Sequence, residues 1–231
     1  MNIAVIPARG GSKRIPRKNI REFCGQPMIA RSIYAAIKSK CFEKIIVSTD
    51  DKEIAEVAEK LGAEVPFVRP KSLSDDHTGT VPVIKHAIKW ALDEGFDVEK
   101  ACCIYATAPF ISFEDILLGL ALLKKRSADY AFSVTSFPFP IQRAIRLSDD
   151  GCVEMLDSEM FYTRSQDLEE VWHDAGQFYW GMSDAWLNEK VIFENAIGIK
   201  LPRYRVQDID TEEDWVRAEA MFKVLEDAGR L

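Results

Sequence analysis

Residues 6–20 read Ile-Pro-Ala-Arg-Gly-Gly-Ser-Lys-Arg-Ile-Pro-Arg-Lys-Asn-Ile and follow directly on an apolar run. Arg9, Lys13, Arg14, Arg17, Lys18 and Arg21 put six cations within thirteen positions, and no acid precedes Glu22. The chain as a whole carries a net charge of -7, so this cluster reverses the global sign locally. Gly10 and Gly11 let the backbone come close to a ligand. A Gly-rich basic loop leaving the end of a strand has the form of a polyphosphate cradle. Gly10, Gly11 and Ser12 can offer N–H groups and a hydroxyl, and Lys13 and Lys18 can offer ammonium charge to a triphosphate. The loop is neither a Walker A motif nor a dinucleotide fingerprint: the chain contains no G-x-x-x-x-G-K-[ST] and no G-x-G.

The second constellation is Asp208-Ile209-Asp210. Alternate residues of an extended segment point to the same side. Two carboxylates on one side can hold a hard cation such as Mg²⁺ together with waters and phosphate oxygens. The same acids also suit the N-terminus of the helix that follows, and the spacing alone leaves both readings open.

The elements that must position these residues alternate. Strands are expected at Asn2–Pro7, Lys44–Ser48, Glu64–Val68, Ala101–Ala106 and Asp129–Ser136. Amphipathic helices are expected at 27–39, 54–61, 80–94 and 112–123, the last opened by a capping box at Ser112-Phe-Glu-Asp115. Short connections between alternating strands and helices predict a three-layer α/β/α, Rossmann-like, mainly parallel sheet. Ligands sit beyond the carboxyl ends of such strands, which is where the basic loop lies. The alternation fails over 137–190, where prolines, scattered charges and many aromatics predict an inserted arm within a single domain of 1–231. It resumes with a strand at Ile197–Leu201 and a helix capped at Thr211.

With 47% hydrophobic and 29% charged residues the composition is that of a globular domain. The acidic balance argues against non-specific nucleic-acid binding. No apolar stretch reaches the roughly 18 residues that span a bilayer. The five cysteines form no C-x-x-C pair and read as reduced thiols, so a cytoplasmic setting is expected.

The opening motif resembles that of the CMP-sugar-acid synthetases, the cytidylyltransferases that activate sialic acids. Arg69-Pro70 with Leu73-Ser74-Asp75 resembles their next block, and Asp208-Ile209-Asp210-Thr211-Glu212-Glu213-Asp214-Trp215 resembles their closing motif. Two further segments, Thr163–Glu170 and His173–Gly181, resemble the pseudaminic acid branch used in flagellin glycosylation. The resemblance implies a nucleotide-diphospho-sugar transferase type of fold. It also implies transfer of CMP from CTP to the anomeric hydroxyl of a nine-carbon 2-keto sugar acid, with Mg²⁺ as cofactor. CTP contacts then fall to Ala8, Arg9, Gly10, Gly11, Ser12, Lys13, Lys18, Asn19 and Arg69. Catalytic roles fall to Lys18, Arg9, Asp208 and Asp210, and the metal to Asp208 and Asp210. The arm is implied to serve a homodimer and the sugar, with Gln142, Arg143, Arg164, Gln166, Gln177 and Tyr179 as sugar contacts. His173, beside Asp174, is a further candidate sugar contact in the arm; a general base and a buried structural residue both fit it, and no catalytic role is assigned to it.

Family members specific for N-acetylneuraminate carry a Leu-Gln-Pro-Thr-Ser-Pro block. Here the block is Ile104-Tyr105-Ala106-Thr107-Ala108-Pro109 and its Gln is missing, while Gln142, followed by Arg143, stands where a Lys is usual. Pseudaminic acid is therefore the expected acceptor, with legionaminic or N-acetylneuraminic acid as alternatives and an eight-carbon acid more distant. A catalytically silent nucleotide-binding protein is the alternative from another class; retention of Lys18 and both acids argues against it.

Overall fold

The computed structural model describes residues 1–230. In chain order the elements are β1 (Asn2–Pro7), the hairpin β2 (Glu22–Phe23) and β3 (Gln26–Pro27), α1 (Met28–Ser39), β4 (Lys44–Ser48), α2 (Lys52–Lys60) and α3 (Thr80–Asp93). Then come β5 (Lys100–Ile104), α4 (Phe113–Arg126), β6 (Tyr130–Ser136), the hairpin β7 (Ile145–Leu147) and β8 (Val153–Met155), β9 (Trp172–Met182), α5 (Ser183–Leu187), β10 (Ala196–Lys200) and α6 (Glu212–Asp227).

Six strands form one sheet in the order β10-β6-β9-β5-β1-β4. β1 pairs parallel with β4 and β5, and β10 pairs parallel with β6. β9 runs antiparallel to both its neighbours, β5 and β6. Ile3 to Ile6 are fully buried because helices cover both faces, so β1 reads as a continuous apolar run rather than an alternation. One layer packs α1, α2 and α4 through Ile29, Ile33, Ile54, Ile116 and Leu123. The opposite layer packs α3 and α5 through Ile84, Ile88 and Trp186.

A third apolar cluster has a different purpose. It joins Ile15 of the basic loop, Phe23 of the hairpin, Phe110, Ile209 and four residues of α6, Trp215, Ala218, Phe222 and Leu225. Ile15 and Ile209 are each only 1% exposed. The loop and the acid pair, almost 200 residues apart in sequence, are therefore pinned to one core. α6 is held by a capping box between Thr211 and Asp214.

Three sequence expectations change. Glu64–Val68 is not a strand: only isolated bridges, Ile46 with Glu64 and Thr49 with Val68, reach it. Ser112 caps α4 by accepting the Glu114 N–H, and no reciprocal box forms there. The expected arm at 137–190 is too long at its far end. Its residues 172–182 are the central antiparallel strand β9, and 183–187 are α5, so only 137–171 stands outside the sheet. That segment holds the β7–β8 hairpin and exposes Phe139, Leu147, Val153, Phe161 and Tyr162. No helix is long and apolar enough to cross a membrane among the described residues.

Candidate active site

Beyond the carboxyl ends of β1 and β5 lies a cleft of about 280 Å³. Its walls include Arg9, Ser12, Lys13, Arg14, Lys18 and Asn19 of the basic loop, then Arg69, the 73–80 segment, and Tyr105 to Thr107. Loop geometry explains the choice of residues. The Gly10 N–H donates to Asp50 Oδ1 (3.0 Å), and a Cβ on Gly10 would lie 2.6 Å from Asp51 Oδ2. Glycine is needed there because the loop passes directly over the end of β4. A Cβ on Gly11 would meet nothing within 4 Å, so the loop borders open space there. Among the described residues the N–H groups of Gly11, Lys13 and Arg14 have no acceptor in the chain.

The cations are held apart by acids from other elements. Arg9 Nη1 donates to Asp75 O (2.8 Å) and Asp76 Oδ1 (2.5 Å), and Lys13 Nζ lies 2.5 Å from Asp76 Oδ2. Lys13 and Arg9 together hold the Asp76 carboxyl below the usual carboxylate range. Arg17 pairs with Asp51 (2.6 Å) and with Glu53. Arg14 lies 2.8 Å from Asp210 Oδ1. Asn19 is buried and donates through Nδ2 to Arg9 O (2.9 Å), which fixes the loop's curvature.

Lys18 is the link between the two constellations. Its Nζ donates to Ile209 O (2.5 Å) and stands 3.6 Å from Asp210 Oδ1. Asp208 and Asp210 lie behind Lys18 and Arg14 and are not part of the cleft's wall. Burial pushes the Asp208 carboxyl up, and the neighbouring Asp210 pushes it further, while Lys18 and Arg14 oppose both. A pair of mutually repelling carboxylates, Asp208 exposed and Asp210 partly so, suits a divalent cation. No group of three metal-binding side chains exists among the described residues, so a cation here would complete its shell from waters and phosphate. That is the usual mode for Mg²⁺.

Arg69 is 4% exposed, and its Nε and Nη2 have no hydrogen-bond acceptor. Its nearest acid, Asp50 Oδ1, is 3.8 Å from Nη2. Burial lowers its affinity for the proton, against the pull of Asp50. Buried donors without acceptors are costly, so a guanidinium on a cleft wall with spare N–H groups is suited to an oxygen-bearing ligand.

The structure unites Arg9, Ser12, Lys13, Lys18, Asn19 and Arg69 on the cleft. Gly10 and Gly11 form the turn behind them. Ala8 is different: it is 1% exposed, its N–H donates to Ser48 O (2.9 Å), and it extends the sheet without lining the cleft. None of the expected sugar contacts lines the cleft. Gln142 Nε2 donates to Glu169 O, Arg143 to Thr163 O, and Arg164 Nε to Asp167 Oδ2, all within the arm. Gln166 is exposed. Gln177 and Tyr179 are each 3% exposed, because β9 lies inside the sheet with both faces covered. Asp50, Asp76, Thr80 and Tyr105 were missed as site residues. The acids closing β4 beside a cationic loop were the signal that could have found Asp50.

A model of the family described as cytidylyltransferase matches residues 3–224. The chain belongs to the cytidylyltransferase family. It is 44% identical to a pseudaminic acid cytidylyltransferase of Campylobacter jejuni over 96% of this chain and 97% of the relative. It is 33% identical to the CMP-N,N'-diacetyllegionaminic acid synthase of Legionella pneumophila over 98% of each. Among solved structures, a CMP:2-keto-3-deoxy-manno-octonic acid synthetase complexed with CTP superposes with a TM-score of 0.70 at 16% identity, covering 96% of this chain and 98% of that one. The last likeness is one of fold. Cytidylyltransferase membership accords with the cleft, a cationic cradle beside an acid pair.

Proposed function

We propose that this cytidylyltransferase transfers CMP from CTP to the anomeric hydroxyl of pseudaminic acid, giving CMP-pseudaminic acid and pyrophosphate. The observation that carries the reading is the joint placement of Lys18 and Arg14 on the cleft wall with the Asp208–Asp210 pair directly behind them, in a chain 44% identical to a pseudaminic acid cytidylyltransferase.

The triphosphate lies along the loop. The N–H groups of Gly11, Lys13 and Arg14, the Ser12 hydroxyl and the Arg9 and Lys13 side chains take its β- and γ-oxygens. To reach them it displaces Asp76, which occupies both cations from the opposite wall. Arg69 offers its spare donors to the nucleoside or the adjoining phosphate. Lys18 faces the α-phosphate, where charge shifts as the reaction proceeds, and its ammonium is preorganised by Ile209 O. The acceptor oxygen bonds to the α-phosphorus, the bridge to the β-phosphate breaks, the hydroxyl proton leaves to solvent, and pyrophosphate departs. Mg²⁺ fits Asp208 and Asp210 and, when bound, neutralises charge on the pyrophosphate. Positioning and charge neutralisation therefore account for the chemistry without a covalent intermediate.

The arm's exposed apolar face supports a homodimer, with arm residues such as Arg143 and Arg164 serving the sugar at a neighbour's cleft. CTP as substrate and five unbridged cysteines support a cytoplasmic setting. The test is pyrophosphate release from CTP and Mg²⁺ with pseudaminic, legionaminic and N-acetylneuraminic acids side by side. Pseudaminic acid should be turned over in strong preference. Preferential turnover of either other acid refutes the acceptor assignment and leaves the CTP half standing.

A further inference from the structure

One polar group inside the sheet has no counterpart in the mechanism above. Asp174 sits on β9, half-buried, and no Lys, Arg or His forms an ion pair with it among the described residues. Its Oδ1 accepts the Gly176 N–H (2.8 Å), and its Oδ2 accepts the Tyr179 hydroxyl (2.5 Å). A carboxylate only accepts, so Tyr179 must spend its proton on Asp174. Tyr179 is thereby locked in one rotamer. Phe132 stacks against its other side with centroids 5.8 Å apart.

The ring of Tyr179 packs on that of Tyr105, with centroids 5.3 Å apart and planes tilted 46°. Tyr105 lines the cleft. Its backbone is fixed at both ends: its N–H donates to Gln177 O (2.9 Å) and its carbonyl accepts from the buried Ser32 hydroxyl (2.6 Å). Its hydroxyl pairs with Thr80 Oγ1 at 3.0 Å, and Thr80 is a second cleft residue. The series Asp174, Tyr179, Tyr105, Thr80 thus runs from the sheet interior to the cleft wall. It ends in two uncharged hydroxyls on the cleft wall.

Topology says which substrate meets that end. The phosphate loop leaves β1, and Arg69 with its Asp50 neighbour belongs to the β4 side. Tyr105 leaves β5, on the opposite side of β1, facing β9 and β6, from which the arm departs. With phosphates over β1 and the nucleoside towards Arg69, the acceptor occupies the β5 side. A polyhydroxylated acceptor is what paired hydroxyls recognise.

We propose that Asp174 and Tyr179 are positioning residues for acceptor binding: they hold Tyr105 so that its hydroxyl, paired with Thr80, contacts the sugar acid. This rests on the CTP-and-sugar-acid reading of the cleft. It revises the role of Tyr179, which acts through Tyr105 and not by touching the ligand.

Steady-state kinetics on Tyr105→Phe, Tyr179→Phe, Asp174→Asn and the double variant Asp174→Asn/Tyr105→Phe test it. Each single change should raise KM for the acceptor about tenfold, the scale of one lost hydrogen bond, and leave KM for CTP within about twofold. Because Asp174 acts through the Tyr105 hydroxyl, the double variant should be no worse than Tyr105→Phe alone. A CTP-dependent thermal shift in every variant verifies the fold. Should Asp174→Asn not fold, Tyr179→Phe removes a single hydroxyl and closes the same cycle with Tyr105→Phe. Unchanged acceptor KM, a shift confined to CTP, or penalties that multiply in the double variant each overturn the proposal. A wild type that turns over none of the three acids fails the functional reading first, before any variant is compared, and the proposal falls with it.

Discussion

Lys18 is the side chain whose loss should cost most. It spans the loop and the acid pair, touching Ile209 O and facing Asp210. Lys18→Ala should lower kcat by about a hundredfold to a thousandfold, the scale of one preorganised charge at a developing anion. Thermal unfolding should barely move. Equal turnover in a matched kinetic comparison would remove its role at the α-phosphate. This residue was legible in the sequence because the signal is local: a run of cations around two glycines in an acidic chain. Asp76 and Tyr105 were not, since each arrives from a remote segment and no local pattern marks it. Tyr179 and Gln177 were misplaced for a physical reason. His173, Asp174 and Gln177 give β9 a polar content that hides a central strand, yet helices cover both of its faces.

At the scale of elements, Asp51 ties the loop to α2. It caps the helix by accepting the Ile54 N–H (3.0 Å) and receives both Nη atoms of Arg17. The hydrogen bond from Arg17, more than any other interaction, holds its carboxyl below the usual range. A carboxyl depressed in the folded state stabilises above its unfolded value and loses that contribution as pH falls through the folded one. Asn still caps a helix, so Asp51→Asn isolates the ion pair from the cap. The variant should be less stable at pH 7 by at most about 1 kcal/mol, since both partners are partly solvated. The gap in melting temperature should close as pH drops below about 4, near the unfolded carboxylate value. A gap that persists at low pH would show that Asp51 acts by packing alone. The alternation of strands and helices up to residue 136 was legible from periodicity. The end of the arm was not, because an antiparallel strand following a long excursion carries no βαβ signature to announce its return to the sheet.

On the scale of the whole molecule, the arm presents an apolar face that one chain leaves uncovered, with Leu147 70% and Phe139 79% exposed. Such a face is suited to a second copy. Light scattering after size exclusion should give twice the mass of one chain at micromolar concentration, and Leu147→Asp with Phe161→Asp should halve it. A wild type that elutes as a single chain would exclude the dimer. Most direct for the central assignment is ³¹P NMR of CTP, Mg²⁺ and pseudaminic acid incubated with the enzyme. The expected spectrum replaces the three CTP resonances with one phosphodiester and pyrophosphate in equal amounts. Unchanged CTP, or pyrophosphate accompanied by free CMP with no phosphodiester, would contradict CMP transfer at this cleft.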